Sequence, residues 1–168
     1  MSRCAVGLGS NVGDRIAHLE AAIGGLASVG RIHAVSPVYE TAPIGGPEQD
    51  PFLNAVALID TAHTPDGLLQ ALLIIERSRG RVRRTRWGPR TLDLDVILWE
   101  RRSISSPGLT IPHPRLAERR FVLEPLYDVW PDATMPDGAP VAAASRAVER
   151  QVLERIEATL VSPDRART

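Results

Sequence analysis

The sequence predicts an α+β domain built on an antiparallel four-stranded sheet, and three observations carry that expectation. Two stretches repeat apolar residues at helical spacing: Ile16, Leu19, Ile23 and Leu26, then Leu68, Leu69, Leu72, Leu73 and Ile75. Four short apolar or β-branched stretches alternate with them in the order strand, helix, strand, strand, helix, strand. Glycine and proline punctuate the joins. This order is the split βαβ, or ferredoxin-like, arrangement, with both helices on one face and the other face left for cover or a ligand.

The elements follow in turn. Residues 5–8 form a first strand that ends at the turn signal Gly9-Ser10-Asn11. Asp14 stands where a helix N-cap or first-turn acid belongs, and Gly30 ends that helix. Residues 31–41 read as a strand, with Pro37 favouring an edge or a bulge. Residues 42–51 make a loop longer than a hairpin needs, which points to function or mobility. A strand follows over 52–61. Pro65 suits the first turn of the second helix, which ends near Gly80. The last strand of the pattern covers about 94–99. Beyond it, 109–131 supply loops and short helical pieces, 141–160 a C-terminal helix, and 162–168 a frayed tail. The whole reads as one domain, 1–161, without repeat or linker.

A chain of 168 residues suits one domain with a proper core, and 43% hydrophobic with 24% charged residues is the balance of a soluble globular protein. No apolar run is long enough to cross a bilayer, and Met1-Ser2-Arg3 leads into the first strand without an h-region. Cys4 is the sole cysteine, so no intramolecular disulfide can form and a buried, inert thiol is expected. These features suggest a cytoplasmic protein. A net charge of zero argues against a general nucleic-acid or membrane-surface binder.

The charge distribution says more. The chain has no lysine, and arginines stand at 77, 79, 81, 83, 84, 86 and 90 with no acid among them. Arg77 and Arg79 fit a helix C-terminus, where cations are favoured. Arg81, Arg83, Arg86 and Arg90 do not, and a guanidinium offers fixed paired donors to phosphate oxygens. Directly after them come Asp93 and Asp95, separated by Leu94. In a strand, i and i+2 project to one face, so the two carboxylates can share or flank hard cations such as magnesium. An Asp-x-Asp alone is weak evidence, but beside the arginines the metal reading is the better one. Together they point to a magnesium-dependent enzyme working on nucleotide phosphates, ATP above all.

Other residues are less decisive. The glycines at 7, 9 and 13 are followed by no Gly-Lys-Ser/Thr, so they form a turn and not a Walker loop. His113, held between prolines, is either a phosphate donor or simply exposed. His18, His33 and His63 read as surface or structural. Phe52 and Phe121 default to core packing, and Asn54 on the face of Phe52 needs a partner if buried.

Several motifs are shared with a known family: Gly9-Ser10-Asn11, Tyr39-Glu40-Thr41-Ala42-Pro43-Ile44-Gly45, Phe52-Leu53-Asn54-Ala55, Gly80-Arg81-Val82-Arg83, Arg86-Trp87-Gly88-Pro89-Arg90-Thr91-Leu92-Asp93-Leu94-Asp95, Ile111-Pro112-His113-Pro114 and Arg119-Arg120-Phe121-Val122-Leu123. In this order and over about 5–138, the chain resembles the 6-hydroxymethyl-7,8-dihydropterin pyrophosphokinases of folate biosynthesis. The resemblance implies pyrophosphoryl transfer from ATP to a pterin alcohol with release of AMP, on the ferredoxin-like fold. It implies that Asp93 and Asp95 hold two Mg²⁺ ions and that Arg81 and Arg90 act catalytically on the phosphates. Phe52 and Phe121 would sandwich the pterin, with Asn54 and the backbone near Thr41, Pro43 and Ile44 on its edge. Glu76, Arg83, Trp87, Arg90, Val96, His113 and Arg119 would line the ATP site. The partners expected are these two small molecules, with no nucleic acid, no membrane and a monomeric chain. A γ-phosphoryl kinase and a non-catalytic RNA-binding domain are the rival readings.

Overall fold

The computed structural model describes residues 1–81, 88–100 and 102–161. In chain order it has β1 (Ser2–Ser10), α1 (Arg15–Ala27), β2 (Arg31–Val35), β3 (Tyr39–Thr41), β4 (Phe52–Thr61), α2 (Pro65–Ser78), β5 (Asp93–Trp99), β6 (Ile104–Ser106) and β7 (Leu109–Ile111). A 3-10 turn (Leu116–Glu118), α3 (Arg120–Val129), α4 (Val141–Ala147) and β8 (Glu154–Arg155) follow. The main sheet runs β5-β1-β4-β3-β8, with β2 paired to the far half of β4 beyond β3. The pairings within it are antiparallel. This is the expected ferredoxin-like core, with β2 and β3 sharing one strand position and β8 added at the edge. No helix among the described residues is long and apolar enough to cross a membrane.

The expected single strand over 31–41 is two strands, and the break has a cause. Pro37 has no N–H to give to a ladder. The preceding Ser36 is drawn onto β4 instead: its N–H donates to the Val56 carbonyl and its Oγ accepts from the Val56 N–H, both at 2.9 Å. The helix ends follow the sequence signals. Asp14 accepts from the Ala17 N–H at 3.0 Å and Thr64 from the Gly67 N–H at 3.1 Å. Gly80, at φ +73°, closes α2 in the left-handed region.

The C-terminal helix expected over 141–160 stops at Ala147. Continuing it would have put Val152 on a helical stripe, but Val152 is 89% exposed and contributes nothing to the core. The chain turns instead and places Glu154 and Arg155 against the open edge of β3. Edge pairing in this stretch outweighs helix periodicity. The β6–β7 hairpin is likewise a feature that the periodicity did not announce.

Two cores lie on either side of the sheet. Leu19, Ile23 and Leu26 of α1 and Leu68 and Leu72 of α2 pack on Val6, Leu8, Ala55, Ala57, Leu94 and Val96. On the other face Leu123 and Leu126 of α3 and Val141 of α4 cover Ala5, Val56 and Ile97. That second layer covers only part of its face. The residues that continue the same rows past α3 are Gly7 and Gly9 on β1, Asn54 and Phe52 on β4, and Asp95 and Asp93 on β5. The uncovered end of the sheet is therefore floored by glycines and flanked by polar groups.

Candidate active site

Register brings the site together. Gly9 lies between Asn54 on one side and Asp93 on the other, and Gly7 stands opposite Asp95. Having no side chain, Gly9 leaves the floor low: a Cβ there would sit 3.3 Å from Asn54 Oδ1 and 3.9 Å from the Asp93 Cβ. Above this floor one cleft is lined by Thr41, Ile44, Phe52, Asn54, Arg119 and Phe121, with Arg90 and Asp93 at its margin. A second, contiguous through Asp93, Asn54, Arg119 and Phe121, reaches Asp95 and His113.

The apolar slot has a polar edge. Asn54 is buried, and its amide donates to Thr41 Oγ1 at 2.8 Å, which fixes both side chains. Phe52 and Phe121 are half-buried at the two sides of the slot, and the Arg119 guanidinium stands 5.6 Å from the Phe121 ring centre. Ile44 is half exposed in the 42–51 loop; Pro43 lies beside it without lining the cleft.

The charged side is a network. Asp93 is held between two arginines: Arg81 donates to Oδ1 at 2.5 Å, and Arg90 bonds Oδ2. Arg81 also pairs with Glu76, and Glu76 accepts the Leu94 N–H at 2.8 Å. The two arginines differ in access. The Arg81 side chain is 7% exposed and enclosed by carboxylates, whereas Arg90 is 31% exposed and faces the cleft. Asp95 makes the contrast with Asp93. Desolvation in the cleft, and then the neighbouring Asp93 charge, push its carboxyl up to about 7. A carboxylate so disfavoured gains from a cation.

Among the described residues no group of three or more His, Cys, Asp or Glu converges to hold a metal. Two carboxylates on one strand face remain, and they fit a magnesium ion whose other ligands are substrate phosphates and water. His113 complements this. The Arg115 N–H lies 3.2 Å from its Nδ1, which makes Nδ1 the acceptor and leaves the proton on Nε2. Burial, with Arg119 nearby, holds the His113 pKa below its ordinary value, so the ring is a neutral donor near pH 7.

The sequence-derived residues do not all converge. Arg81, Arg90, Asp93, Asp95, Thr41, Phe52, Asn54, Phe121, His113 and Arg119 meet at this end of the sheet. Glu76 reaches it only through Arg81 and the Leu94 amide. The Val96 side chain packs into the α1–α2 core on the opposite face. Arg83 and Trp87 lie outside the described residues. Asn11 is a residue that sequence reasoning read as mere turn. Its Oδ1 accepts the Arg90 N–H at 2.8 Å, and its Nδ2 donates to Gln49 Oε1 at 2.9 Å and to the Asp50 carbonyl at 3.0 Å. It therefore ties the 42–51 loop to the arginine segment. The signal was a polar residue directly after an apolar strand, which is buried here and so must be bonded.

Known proteins resemble this chain in sequence and in fold. The family described as 7,8-dihydro-6-hydroxymethylpterin-pyrophosphokinase (HPPK) matches residues 5–131. A 2-amino-4-hydroxy-6-hydroxymethyldihydropteridine pyrophosphokinase of Methylorubrum extorquens is 44% identical over 159 residues, 94% of this chain and 100% of its own. One of the same name from Pseudomonas aeruginosa is 40% identical over 93% of this chain and 98% of its own. Among solved structures, the wild-type HPPK-DHPS of Plasmodium falciparum superposes with a TM-score of 0.69 at 14% identity, over 87% of this chain and 44% of that one. An HPPK-DHPS in complex with substrates gives 0.70 at 14% identity, over 87% of this chain and 43% of that one. The chain thus spans less than half of those structures, and the likeness to them is one of fold. With the family match covering most of its length and relatives at 40–44% identity, the chain belongs to the 7,8-dihydro-6-hydroxymethylpterin-pyrophosphokinase family.

Proposed function

We infer that this chain transfers the pyrophosphoryl group of ATP to the hydroxymethyl group of 6-hydroxymethyl-7,8-dihydropterin, releasing AMP, as a step of folate biosynthesis. The observation that carries the reading is one cleft that joins a flat apolar slot to a carboxylate–arginine network. A pterin needs the first, and the phosphates of ATP need the second.

The roles proposed follow from that division. Phe52 and Phe121 stack on the two faces of the pterin ring, and Asn54, with the backbone near Thr41, Pro43 and Ile44, reads its edge. Asp93 and Asp95 would hold two Mg²⁺ ions, which when bound neutralise charge on the phosphate oxygens as Lewis acids. Arg90, 31% exposed and facing the cleft, turns from Asp93 to a phosphate oxygen; Arg81 acts beside it from a buried position. Neutral His113 donates from Nε2, Arg119 and Arg83 add positive charge on the ATP side, and Trp87 belongs to the same side. Glu76 contributes by holding Arg81 and the Leu94 amide, and Val96 through the backbone of the strand that bears both aspartates.

In this scheme the pterin hydroxymethyl oxygen attacks the β-phosphorus of ATP in line and AMP departs. No side chain stands out as general base. The 42–51 and 80–91 loops act as lids that exclude water and so limit hydrolysis. The working unit is residues 1–161 as a cytoplasmic monomer. Incubation with Mg²⁺, ATP and the hydroxymethyl dihydropterin tests the reaction: AMP as coproduct is expected, and ADP would sink the proposal in favour of a γ-phosphoryl kinase.

A further inference from the structure

We propose that Gln151, far from the cleft in sequence and absent from its lining, is a positioning residue for the pterin. It clips the C-terminal segment onto the turn that carries Arg119 and Phe121. The inference rests on the stacking role proposed above for Phe121.

The first turn of α3 lacks a cap of its own, because Arg119 at the N-cap makes no side-chain hydrogen bond to it. Gln151 supplies the missing partner from 31 residues away. Its Oε1 accepts the Arg120 N–H at 2.9 Å, and its Nε2 donates to the Glu118 carbonyl at 2.7 Å. A primary amide carries one acceptor and two donors in a plane, so one side chain can bond both backbone groups that bracket Arg119. Arg120 returns the grip: its guanidinium donates to the carbonyls of Glu149 at 2.6 Å and Gln151 at 2.8 Å. The clipped stretch 118–120 directly precedes Phe121 and includes Arg119, and both of these line the cleft.

The same segment is fastened at its other end to the opposite wall. Glu154 and Arg155 pair with Glu40 and Tyr39 of β3, and the Ile156 N–H donates to the Val38 carbonyl at 3.0 Å. Strand β3 ends in Thr41, the partner of Asn54. Residues 149–156 thus span from the Phe121 side of the slot to the Thr41–Asn54 side, behind it. The apolar side of α3 is anchored in the core through Leu123 and Leu126, with Val122 packed against it. What the clip adds at the N-terminal end is a partner for the Arg120 N–H, and helix ends fray unless their orphan groups are met. Freeing the clip leaves the Phe121 ring to be ordered by the pterin itself, at a cost in affinity and not in chemistry.

The test is a double-mutant cycle on pterin affinity, read by equilibrium fluorescence of the pterin and by steady-state AMP formation. Gln151→Ala is expected to raise the pterin Kd and KM about tenfold, the scale of one or two lost amide hydrogen bonds, with kcat changed less than about threefold. Gln151→Glu keeps the acceptor for Arg120 and loses the donor to Glu118, so its effect falls between. In a Phe121→Leu background the Gln151→Ala step adds less than about twofold, because the residue acts through that ring. Wild-type pterin affinity in Gln151→Ala, or an undiminished penalty in the Phe121→Leu background, overturns the proposal. If Gln151→Ala melts below the assay temperature, Gln151→Glu completes the cycle by the same criteria. A wild-type chain that makes no AMP defeats the functional reading instead, which separates the two failures.

Discussion

The sheet carries an arginine–aspartate cluster at each end, and the two behave in opposite ways. At one end Asp60 faces the Arg3 guanidinium at 3.0 Å and is bonded by His33, with all three partly open to solvent. The hydrogen bond from Arg3 is the main cause that holds the Asp60 carboxyl below its usual value. At the other end Asp93 is bonded by Arg81 and Arg90, Glu76 pairs with Arg81 from behind, and Asp95, in the cleft beside Arg119, is pushed up to about 7 chiefly by desolvation. The residue types are nearly the same. What differs is the loss of water: an acid bonded by Arg3 and His33 within reach of solvent is a clasp, whereas a carboxylate desolvated beside a like charge is one that a cation would relieve.

The largest expected effect tests that difference. Asp95→Asn removes a carboxylate that is a liability to the bare fold and a proposed metal ligand. Turnover is expected to fall by about 10³-fold or more, as loss of metal and electrostatic stabilisation does elsewhere. The melting temperature should stay level or rise, because a like-charge contact with Asp93 is relieved. Steady-state AMP formation and a thermal melt read the two sides. Near-normal activity would remove Asp95 from the catalytic set, and a large loss of stability would make it a structural acid like Asp60.

Within the cleft the two arginines should separate by burial. Arg81→Ala removes a cation shared by Glu76, only 3% exposed, and Asp93, and about 3–5 kcal/mol of stability is expected to go with it. Arg90 is far more exposed, so Arg90→Ala should cost less than about 1 kcal/mol in stability. Its kcat/KM should nonetheless fall about 10²-fold if the guanidinium meets a phosphate in the transition state. Urea melts beside initial rates distinguish them. If both variants unfold alike, Arg90 is a second structural arginine and the division between the two is wrong.

The fold was legible wherever local pattern and tertiary packing agreed. The stripes of α1 and α2, the Asp14 cap and the Gly80 stop are all written in nearest-neighbour chemistry. The alternation that sets Asp93 and Asp95 on one face and Val96 on the other is a period-two property, and so was half readable: it grouped the aspartates but did not say which face held the site. The stretch 141–160 was misread because its apolar residues keep helical spacing, while the deciding term was a vacant edge on β3 that no local window contains. Asn11 and Gln151 escaped for a related reason. Each is a lone amide whose partners lie tens of residues away, and nothing in a neighbouring sequence reports such a bond. The tie between pterin and aromatic slot came from shared family motifs, since Phe52 and Phe121 considered alone look like core.

The smallest effect comes from the clasp, and it is where pH helps. Asp60→Asn is expected to leave turnover unchanged and to cost less than about 1 kcal/mol near neutrality, since Arg3 is 41% exposed and such pairs are well screened. The folded carboxyl titrates below its unfolded value of about 3.9, so the folded state favours the charged form. That contribution is fully present above about pH 4–5 and fades as pH falls through the lowered folded value. The stability gap between wild type and Asp60→Asn should therefore hold steady through the neutral range and close on acidification. Raising salt should narrow it at neutral pH too, because the charges are in reach of solvent ions. Paired urea melts at several pH values and salt concentrations measure this. A gap that widens in acid, or an Asp60→Asn enzyme with impaired turnover, would join the two ends of the sheet in a way that their geometry does not.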